Sequence, residues 1–117
     1  MKILYLDDDA INRLTVSKSV ENKFEIDAVE KAEEAFELAE KNTYEILMID
    51  INLNSSNIDG FGVLKRLKTY PHLKDSIYIA HTNYFGEEWK LRCLDNGFDF
   101  YNPKPFILNE FEKLIKK

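Results

Sequence analysis

The residues best suited to chemistry in this chain stand where predicted strands end. The apolar run Ile46–Ile49 is followed directly by Asp50, and the run Ile3–Leu6 is followed by the acidic triplet Asp7–Asp9. Short apolar runs of this kind predict buried strands of a parallel sheet. Because ligands of open α/β sheets bind at the carboxyl ends of the strands, we expect these carboxylates to share one edge of the sheet.

Two further strand ends supply other functional groups. The predicted strand Ile77–His81 leads to Thr82, and the predicted strand Phe98–Tyr101 leads to Lys104, which stands between two prolines that stiffen its backbone. The sequence therefore predicts a hydroxyl and an ammonium group beside the carboxylates.

A cluster of this composition predicts phosphoryl chemistry with a cation. Three carboxylates held together repel one another, so they must take up protons or bind a positive ion. Oxygen ligands without Cys or His favour a hard ion, and Mg²⁺ typically uses one or two carboxylates, waters and substrate phosphate. An aspartate can attack phosphorus to form an aspartyl phosphate, while Lys104 pairs with a phosphoryl oxygen.

Composition predicts one ordinary globular domain over residues 1–117, with 44% hydrophobic and 32% charged residues. The formal charge of -5 disfavours nucleic acid and anionic membranes as partners and favours a protein or a metal ion. The single cysteine, Cys93, excludes an intramolecular disulfide, and no Cys or His spacing predicts zinc. No apolar run approaches the roughly 18 residues of a membrane span, so a cytoplasmic location is expected.

The order of elements predicts an α/β fold of five strands, each followed by a helix. The clearest helix lies within residues 30–41, and its apolar face is Ala32, Ala35, Phe36 and Ala39. The alternating run Phe24–Val29 suits an edge strand. These features predict a doubly wound, flavodoxin-like (βα)5 sheet, parallel, in the order 2-1-3-4-5. The other helices are expected at residues 10–21, after Asp59, at 86–96 and at 106–116.

Several residues are predicted to shape these elements. Asp9 and Asp59 are candidate N-caps, Gly60 and Gly62 allow close approach of the backbone, Pro71 ends the third helix just before the fourth strand, and Gly97 caps the fourth helix. The first helix has only an imperfect apolar stripe, made of Ile11, Leu14, Val16 and Val20. Structural roles are expected for His72, His81, Trp89 and Cys93, and the helix dipole favours Lys113, Lys116 and Lys117 at the last helix end.

The chain resembles the receiver domain of two-component response regulators over its whole length. The resemblance rests on the acidic pair Asp7 and Asp8 after the first strand, Asp50 after the third, Thr82 after the fourth, and Lys104 in a Lys-Pro-Phe run after the fifth. Each residue alone is a weak signal. Together, each at a strand end and in this order, they identify the family.

The resemblance implies roles for the acidic residues. Asp50 is expected to be the phosphoacceptor. Asp8 is expected to bind Mg²⁺ directly, Asp7 directly or through water, and the backbone carbonyl of Asn52 completes the ligands that the protein supplies. The phosphoryl donor is expected to be a sensor histidine kinase or a histidine phosphotransfer protein in a phosphorelay.

The resemblance also implies a conformational switch. Thr82 is expected to move to the phosphoryl group and Tyr101 to swing inward behind it, which reshapes the surface of the fourth helix, fifth strand and fifth helix. A cis peptide bond is implied between Lys104 and Pro105. The domain is expected to be a monomer or weak dimer and a regulator, with only self-catalysed phosphorylation and dephosphorylation.

This sequence departs from the family pattern in two places. No proline stands between Asp50 and Asp59, and the stretch Asn54–Asn57 carries about two extra residues. Asn83 occupies a position where the family usually has a small residue. Asn52 and Tyr84 stand where relatives tune the lifetime of the phosphoryl group.

Other function classes remain open at this level. The domain could be a receiver-like interaction module that works without phosphate. A small aspartate-nucleophile phosphatase is less consistent with this sequence, because such enzymes need extra chain to enclose a substrate and 117 residues leave little for it. A flavin-binding protein is least consistent, because no phosphate-cradling loop follows the first strand.

Overall fold

The computed structural model of the protein describes residues 1–54 and 56–116. Two residues lie outside the described residues. They are Ser55, which belongs to the predicted loop insertion, and Lys117, which was predicted to lie at the end of the last helix. Among the described residues, no helix is both long and apolar enough to cross a membrane.

Five parallel strands form one sheet in the order β2-β1-β3-β4-β5, which confirms the predicted flavodoxin-like arrangement. The register pairs Leu6 with Ile49 and Ile49 with Ala80, so β1 and β3 end level with one another and β4 continues two residues farther, to Thr82. The strands are β1 (Lys2–Leu6), β2 (Glu25–Val29), β3 (Ile46–Ile49), β4 (Ile77–Thr82) and β5 (Phe100–Pro103).

Helices cover both faces of the sheet. Their bounds are α1 (Ala10–Val20), α2 (Ala32–Lys41), α3 (Gly60–Leu67), α4 (Glu87–Asp95) and α5 (Leu108–Ile115). Buried side chains of α2, α3 and α4 pack on one face, and those of α1 and α5 pack on the other. Alternate residues of each central strand enter the two cores, because successive strand side chains point to opposite faces. Polar residues that follow these strands therefore lie outside the two cores.

The apolar faces of two helices differ in how well the sequence predicts them. The four predicted core residues of α2 are all buried. In α1 only Val16 and Val20, which stand one turn apart, are buried, whereas Ile11 is 74% exposed and Leu14 is 60% exposed. The predicted stripe of α1 was therefore wrong in its first half, and these two apolar side chains remain on the surface.

The fifth strand begins two residues later than predicted. The Phe98 backbone N–H donates to the Cys93 carbonyl at the end of α4 (3.1 Å), and the Asp99 carboxylate accepts the Tyr78 backbone N–H (2.8 Å). Phe98 and Asp99 use these bonds to close the turn after α4. The regular strand therefore starts at Phe100. The strand also ends two residues later than predicted, at Pro103, so Lys104 follows it directly.

The connection between α3 and β4 also differs from the prediction. The helix already ends at Leu67, and Pro71 opens a 3-10 helix over Pro71–Leu73 rather than stopping α3 itself. His72 lies in this 3-10 helix with its Nε2 2.7 Å from the Ala39 carbonyl oxygen, so its predicted structural role is consistent with the fold.

The start of α3 is packed against the end of β3. Asp59 caps the helix as predicted, because its Oδ1 accepts the Gly62 backbone N–H (2.9 Å). A Cβ atom on Gly60 would lie 2.5 Å from the Asp50 carbonyl oxygen and 2.6 Å from the Ile51 Cα. Since both neighbours are backbone atoms, only glycine permits this contact.

We expect Gly60→Ala to lower the free energy of unfolding by about 1–3 kcal/mol, the usual cost of forcing extra volume into a packed site. Urea denaturation measures the change. Gly62→Ala is the matched control, because the added Cβ would meet the flexible side chain of Ile58 and, at 3.6 Å, the Asp59 carboxylate, rather than backbone atoms. Equal stability of the two variants would contradict the prediction.

Candidate functional site

A polar pocket of about 140 Å³ opens at the carboxyl edge of the sheet. It brings together the residues that the sequence placed at strand ends, which are Asp7, Asp8, Asp50, Thr82 and Lys104. Asn52, Asn83 and Tyr84 also line it, together with Asn12 and Asn54, which sequence reasoning missed.

Backbone hydrogen bonds hold the two buried carboxylates in place. The Asp50 N–H donates to the Leu6 carbonyl (3.0 Å) and the Asp7 N–H donates to the Val29 carbonyl (3.1 Å). The sheet pairing thus continues one residue past β1 and β3. Asp7 is 0% exposed and Asp50 is 4% exposed. Because both lie at the ends of neighbouring central strands, their side chains share the pocket.

Lys104 neutralises this pair of carboxylates. Its Nζ lies 2.8 Å from Asp7 Oδ2 and donates to Asp50 Oδ2 at 2.9 Å. Its backbone N–H donates to the Thr82 carbonyl (2.9 Å), which fixes the turn after β5. The bond between Lys104 and Pro105 is cis, as the resemblance implied.

The charges of these groups depend on one another. Burial raises the pKa of Asp50 above its usual range, although the hydrogen bond and charge of Lys104 oppose the shift. Burial disfavours the charge of Lys104, but its hydrogen bonds to Asp7 and Asp50 outweigh this and raise its pKa. The lysine therefore stays charged, and the buried carboxylates gain a positive neighbour.

Asp7 has two further partners. Its Oδ1 accepts the Asp9 backbone N–H (2.9 Å), and its Oδ2 accepts the buried hydroxyl of Tyr5 (2.5 Å). Sequence reasoning missed Tyr5 as a site residue. Its position two residues before Asp7 could have revealed it, because side chains two residues apart on a strand point to the same face of the sheet. Asp9 itself caps α1 as predicted, accepting the Ile11 backbone N–H at 2.8 Å.

The long loop after β3 reaches over the third carboxylate. The Asn54 backbone N–H donates to Asp8 Oδ2 (2.6 Å), while Leu53 is buried in the core. Farther along, the Ser56 hydroxyl accepts the Ala32 backbone N–H at the start of α2 (3.0 Å). The loop that was predicted to carry extra residues is thus anchored on both sides and contacts the site through its backbone.

Thr82 and Tyr101 are connected through Tyr84. The Thr82 Oγ1 accepts the Tyr84 backbone N–H (3.3 Å), and the Tyr101 hydroxyl donates to the Tyr84 carbonyl (2.5 Å). The Tyr84 ring stacks on Trp89 with centroids 4.4 Å apart. Trp89 and Cys93 pack α4 against the sheet, which agrees with their predicted structural role. A change at Thr82 can therefore reach α4 through a short series of contacts.

The donor set fits a divalent cation. Asp7, Asp8 and Asp50 each offer a carboxylate oxygen, and these oxygens lie within 4.8 Å of one another. All three ligands are hard oxygen donors, which suits Mg²⁺, Ca²⁺ or Mn²⁺.

Known proteins share this architecture. The family model described as response regulator receiver domain matches residues 3–116. The chain belongs to the response regulator receiver domain family. It is 32% identical over 111 residues to the transcriptional regulatory protein HprR of Escherichia coli strain K12, covering 94% of this chain and 48% of that protein. This chain spans less than half the length of each of the first curated relatives it matches.

Solved receiver structures superpose closely on this one. The non-phosphorylated HemR receiver domain of Leptospira biflexa has a TM-score of 0.82 and 26% identity, covering 99% of this chain and 94% of that one. A response regulator of Burkholderia pseudomallei, with a phosphorylated aspartic acid, a calcium ion and citrate, has a TM-score of 0.86 and 20% identity, covering 99% and 66%. The second likeness shows the fold alone.

His81 is a buried titratable residue beneath the receiver site. It is 1% exposed, its Nδ1 lies 2.9 Å from the Asn102 carbonyl oxygen and must donate to it, and its ring meets Phe106 edge-on at 5.7 Å. Burial lowers the pKa of His81 to about 4, a shift that the nearby Lys104 charge increases and the Asn102 bond and Asp7 oppose. The imidazole is neutral in the folded protein at pH 7.

We expect this histidine to destabilise the fold in acid. Because unfolding restores the ordinary pKa near 6.5, the unfolded chain binds the extra proton, and stability falls as the pH drops from about 6.5 to about 4. The loss amounts to about 3 kcal/mol in wild type. Urea unfolding of wild type and of His81→Phe at several pH values isolates the contribution of His81 to the free energy of unfolding. Parallel stability profiles of the two proteins would contradict the prediction.

Proposed function

We propose that residues 1–117 form one cytoplasmic receiver domain whose Asp50 accepts a phosphoryl group from a phosphohistidine on a partner protein, with Mg²⁺ as cofactor. The observation that carries the proposal is the buried Asp50 carboxylate in contact with Lys104 and beside two further carboxylates. Membership of the receiver family supports the phosphoacceptor role.

The proposed transfer uses Asp50 as the nucleophile. One carboxylate oxygen forms a bond to phosphorus, the phosphorus–nitrogen bond of the donor breaks, and the imidazole leaves and takes up a proton. Lys104 lies 2.9 Å from Asp50 Oδ2, which places its ammonium group where it can pair with an oxygen of the transferred group. The Asn52 N–H donates to Asp50 Oδ1 (3.2 Å) and restrains the carboxylate.

Asp7, Asp8, Asp50 and the backbone carbonyl of Asn52 would hold the cation. We favour Mg²⁺ because it commonly binds through one or two carboxylates, with the substrate phosphate and waters as the other ligands. When bound, the ion supplies positive charge that neutralises the phosphoryl oxygens. The calcium ion in the Burkholderia pseudomallei protein is consistent with a divalent site in this fold.

The switch would begin at Thr82. Its hydroxyl lines the pocket and would turn from the Tyr84 N–H to the phosphoryl group, which releases one of the contacts that hold the loop after β4. Tyr101, bonded to the Tyr84 carbonyl, would then move inward with that loop. The surface of α4, β5 and α5 changes as a result. Turnover is confined to the domain's own phosphorylation and dephosphorylation.

Intact-mass spectrometry after incubation with acetyl phosphate and Mg²⁺ tests the proposal. Wild type should gain a single phosphoryl adduct that disappears when EDTA removes the ion. Asp50→Asn should gain none, because an amide oxygen is a poor nucleophile toward phosphorus. Asp99→Asn is the matched control, since Asp99 binds the Tyr78 backbone away from the pocket, and it should be modified like wild type.

The outcomes separate the candidate functions. An adduct on Asp50→Asn would move the acceptor to another residue. A folded wild type without any adduct would overturn the proposal in favour of a receiver-like module that works without phosphate.

The protein donor is proposed to dock on a rim of exposed apolar residues from α1 and the start of α5, next in sequence to residues that line the pocket or close behind them. Ile11 and Leu14 of α1 are 74% and 60% exposed, and Ile107, at the start of α5, is 45% exposed. Both helices lie on the same face and begin at the edge of the sheet that carries the site. A donor whose imidazole reaches Asp50 must cover this rim, which explains why apolar side chains stay on the surface there.

Leu14→Ser should slow phosphoryl transfer from any histidine donor protein that modifies wild type, by about tenfold if Leu14 contributes about 1.4 kcal/mol to docking. Modification by acetyl phosphate should not change, because the pocket itself is intact. Leu91→Ser, at an exposed leucine on α4, is the control. Equal loss with both donors would contradict a docking role.

A further inference from the structure

Tyr5 is a buried residue of β1 that supports the acidic site from below. It is 0% exposed, and its ring packs in the core between the sheet and helices α1 and α5. The ring is tilted against that of His81, with centroids 6.0 Å apart. Its hydroxyl leaves this apolar layer and donates to Asp7 Oδ2 at 2.5 Å. The neighbouring rings and strands leave the hydroxyl little freedom to turn elsewhere.

The hydroxyl is one of three partners that hold Asp7, and it leaves part of the carboxylate free for an ion. Oδ1 accepts the backbone N–H of Asp9 (2.9 Å), and Oδ2 accepts both the Tyr5 hydroxyl and the Lys104 ammonium group (2.8 Å). A rotation of the carboxylate would break at least one of these bonds inside the protein, where an unpaired polar group is costly. Asp7 is therefore held in one orientation.

We propose that Tyr5 is a positioning residue that fixes the Asp7 carboxylate and so makes the cation site select Mg²⁺ over Ca²⁺. The inference rests on the proposed function of this pocket as a divalent-cation site. It assigns Tyr5 no contact with the ion or with phosphate, because the residue acts through Asp7.

The selectivity follows from the coordination that each ion requires. Mg²⁺ demands near-octahedral geometry with oxygens at about 2.0–2.1 Å, whereas Ca²⁺ accepts longer bonds, more ligands and bidentate carboxylates. A carboxylate tied at both oxygens cannot turn to bind in a bidentate manner. Without the Tyr5 hydroxyl, Oδ2 would keep only the Lys104 ammonium group, and the flexible lysine side chain can follow a turning carboxylate. The site would then adapt to the larger ion at the expense of the smaller one.

Isothermal titration calorimetry of Tyr5→Phe with Mg²⁺ and, separately, with Ca²⁺ tests the inference at constant ionic strength and without a phosphodonor. Support from a ligand's hydrogen-bond partner is typically worth a factor of 10 or more in affinity, so the Mg²⁺ dissociation constant should rise about tenfold. The Ca²⁺ constant should change by about threefold at most, because that ion tolerates a less regular site. The ratio of the two constants is the readout.

Tyr44→Phe is the matched control. Tyr44 is also 0% exposed, and its hydroxyl donates to an aspartate, Asp27 Oδ2, at 2.7 Å, but neither residue lines the pocket. The Tyr44→Phe substitution removes the same hydroxyl group from a similar hydrogen bond and should leave the Mg²⁺ and Ca²⁺ dissociation constants as in wild type. Tyr5→Met, which also lacks the hydroxyl, repeats the test with a different side chain, and circular dichroism establishes that each protein is folded.

An equal change in the two constants, no change in either, tighter Mg²⁺ binding, or the same shift in Tyr44→Phe would overturn the inference. Because no phosphodonor is present, the result does not depend on whether Asp50 accepts phosphate. Absence of the phosphoryl adduct in wild type, together with a changed ion ratio in Tyr5→Phe, would reject the proposed function and leave the role of Tyr5 standing.

Discussion

The contact of Lys104 with Asp7 and Asp50 is the interaction on which the rest of the site depends. Two carboxylates that are almost completely removed from solvent repel one another and lose their hydration, so they need a positive partner at close range. Lys104 provides it at 2.8 and 2.9 Å. The lysine comes from a part of the chain 54 residues away from Asp50. Only the folded sheet can bring the two together.

The strand order is what makes that contact possible. Placing β1 beside β3 puts Asp7 and Asp50 on adjacent strands, and the register that pairs Leu6 with Ile49 makes them level. The chain then returns through β4 and β5, so that the turn after β5 carries Lys104 back toward the centre. The backbone bond from Lys104 to the Thr82 carbonyl keeps this turn against β4. The groups of the site thus share one edge of the sheet, although β2 separates β1 from β3 along the chain.

Further contacts hold Asp7 and Asp8 in place. Asn54 holds Asp8 through a backbone N–H, in a loop that is anchored by buried Leu53 and by the Ser56 hydroxyl. Tyr5 holds Asp7 from the core side. Asp7 and Asp8 are therefore each oriented by a hydrogen bond from a residue that is not itself a carboxylate of the site. Preorganised ligands of this kind bind an ion without first having to be ordered, which strengthens and sharpens binding.

Local pattern was enough to predict much of this protein. Short apolar runs located β1, β3 and β4 and the acidic residues that follow them, and the spacing of Ala32, Ala35, Phe36 and Ala39 located α2, because strand and helix periods appear within a few residues of chain. The alternation of strands and helices then favoured the strand order 2-1-3-4-5, which is the order in the structure.

The tertiary structure alone decided the remaining features. Apolar character did not reveal that Ile11 and Leu14 face outward, because burial depends on which side of α1 meets the sheet. The start of β5 depends on hydrogen bonds that Phe98 donates to the Cys93 carbonyl and Asp99 accepts from the Tyr78 backbone N–H, and both partners belong to other elements. Tyr5 looked like an ordinary strand residue until its hydroxyl was placed against Asp7. Composition and period are local properties, whereas these contacts join residues whose positions are set only when the whole chain packs.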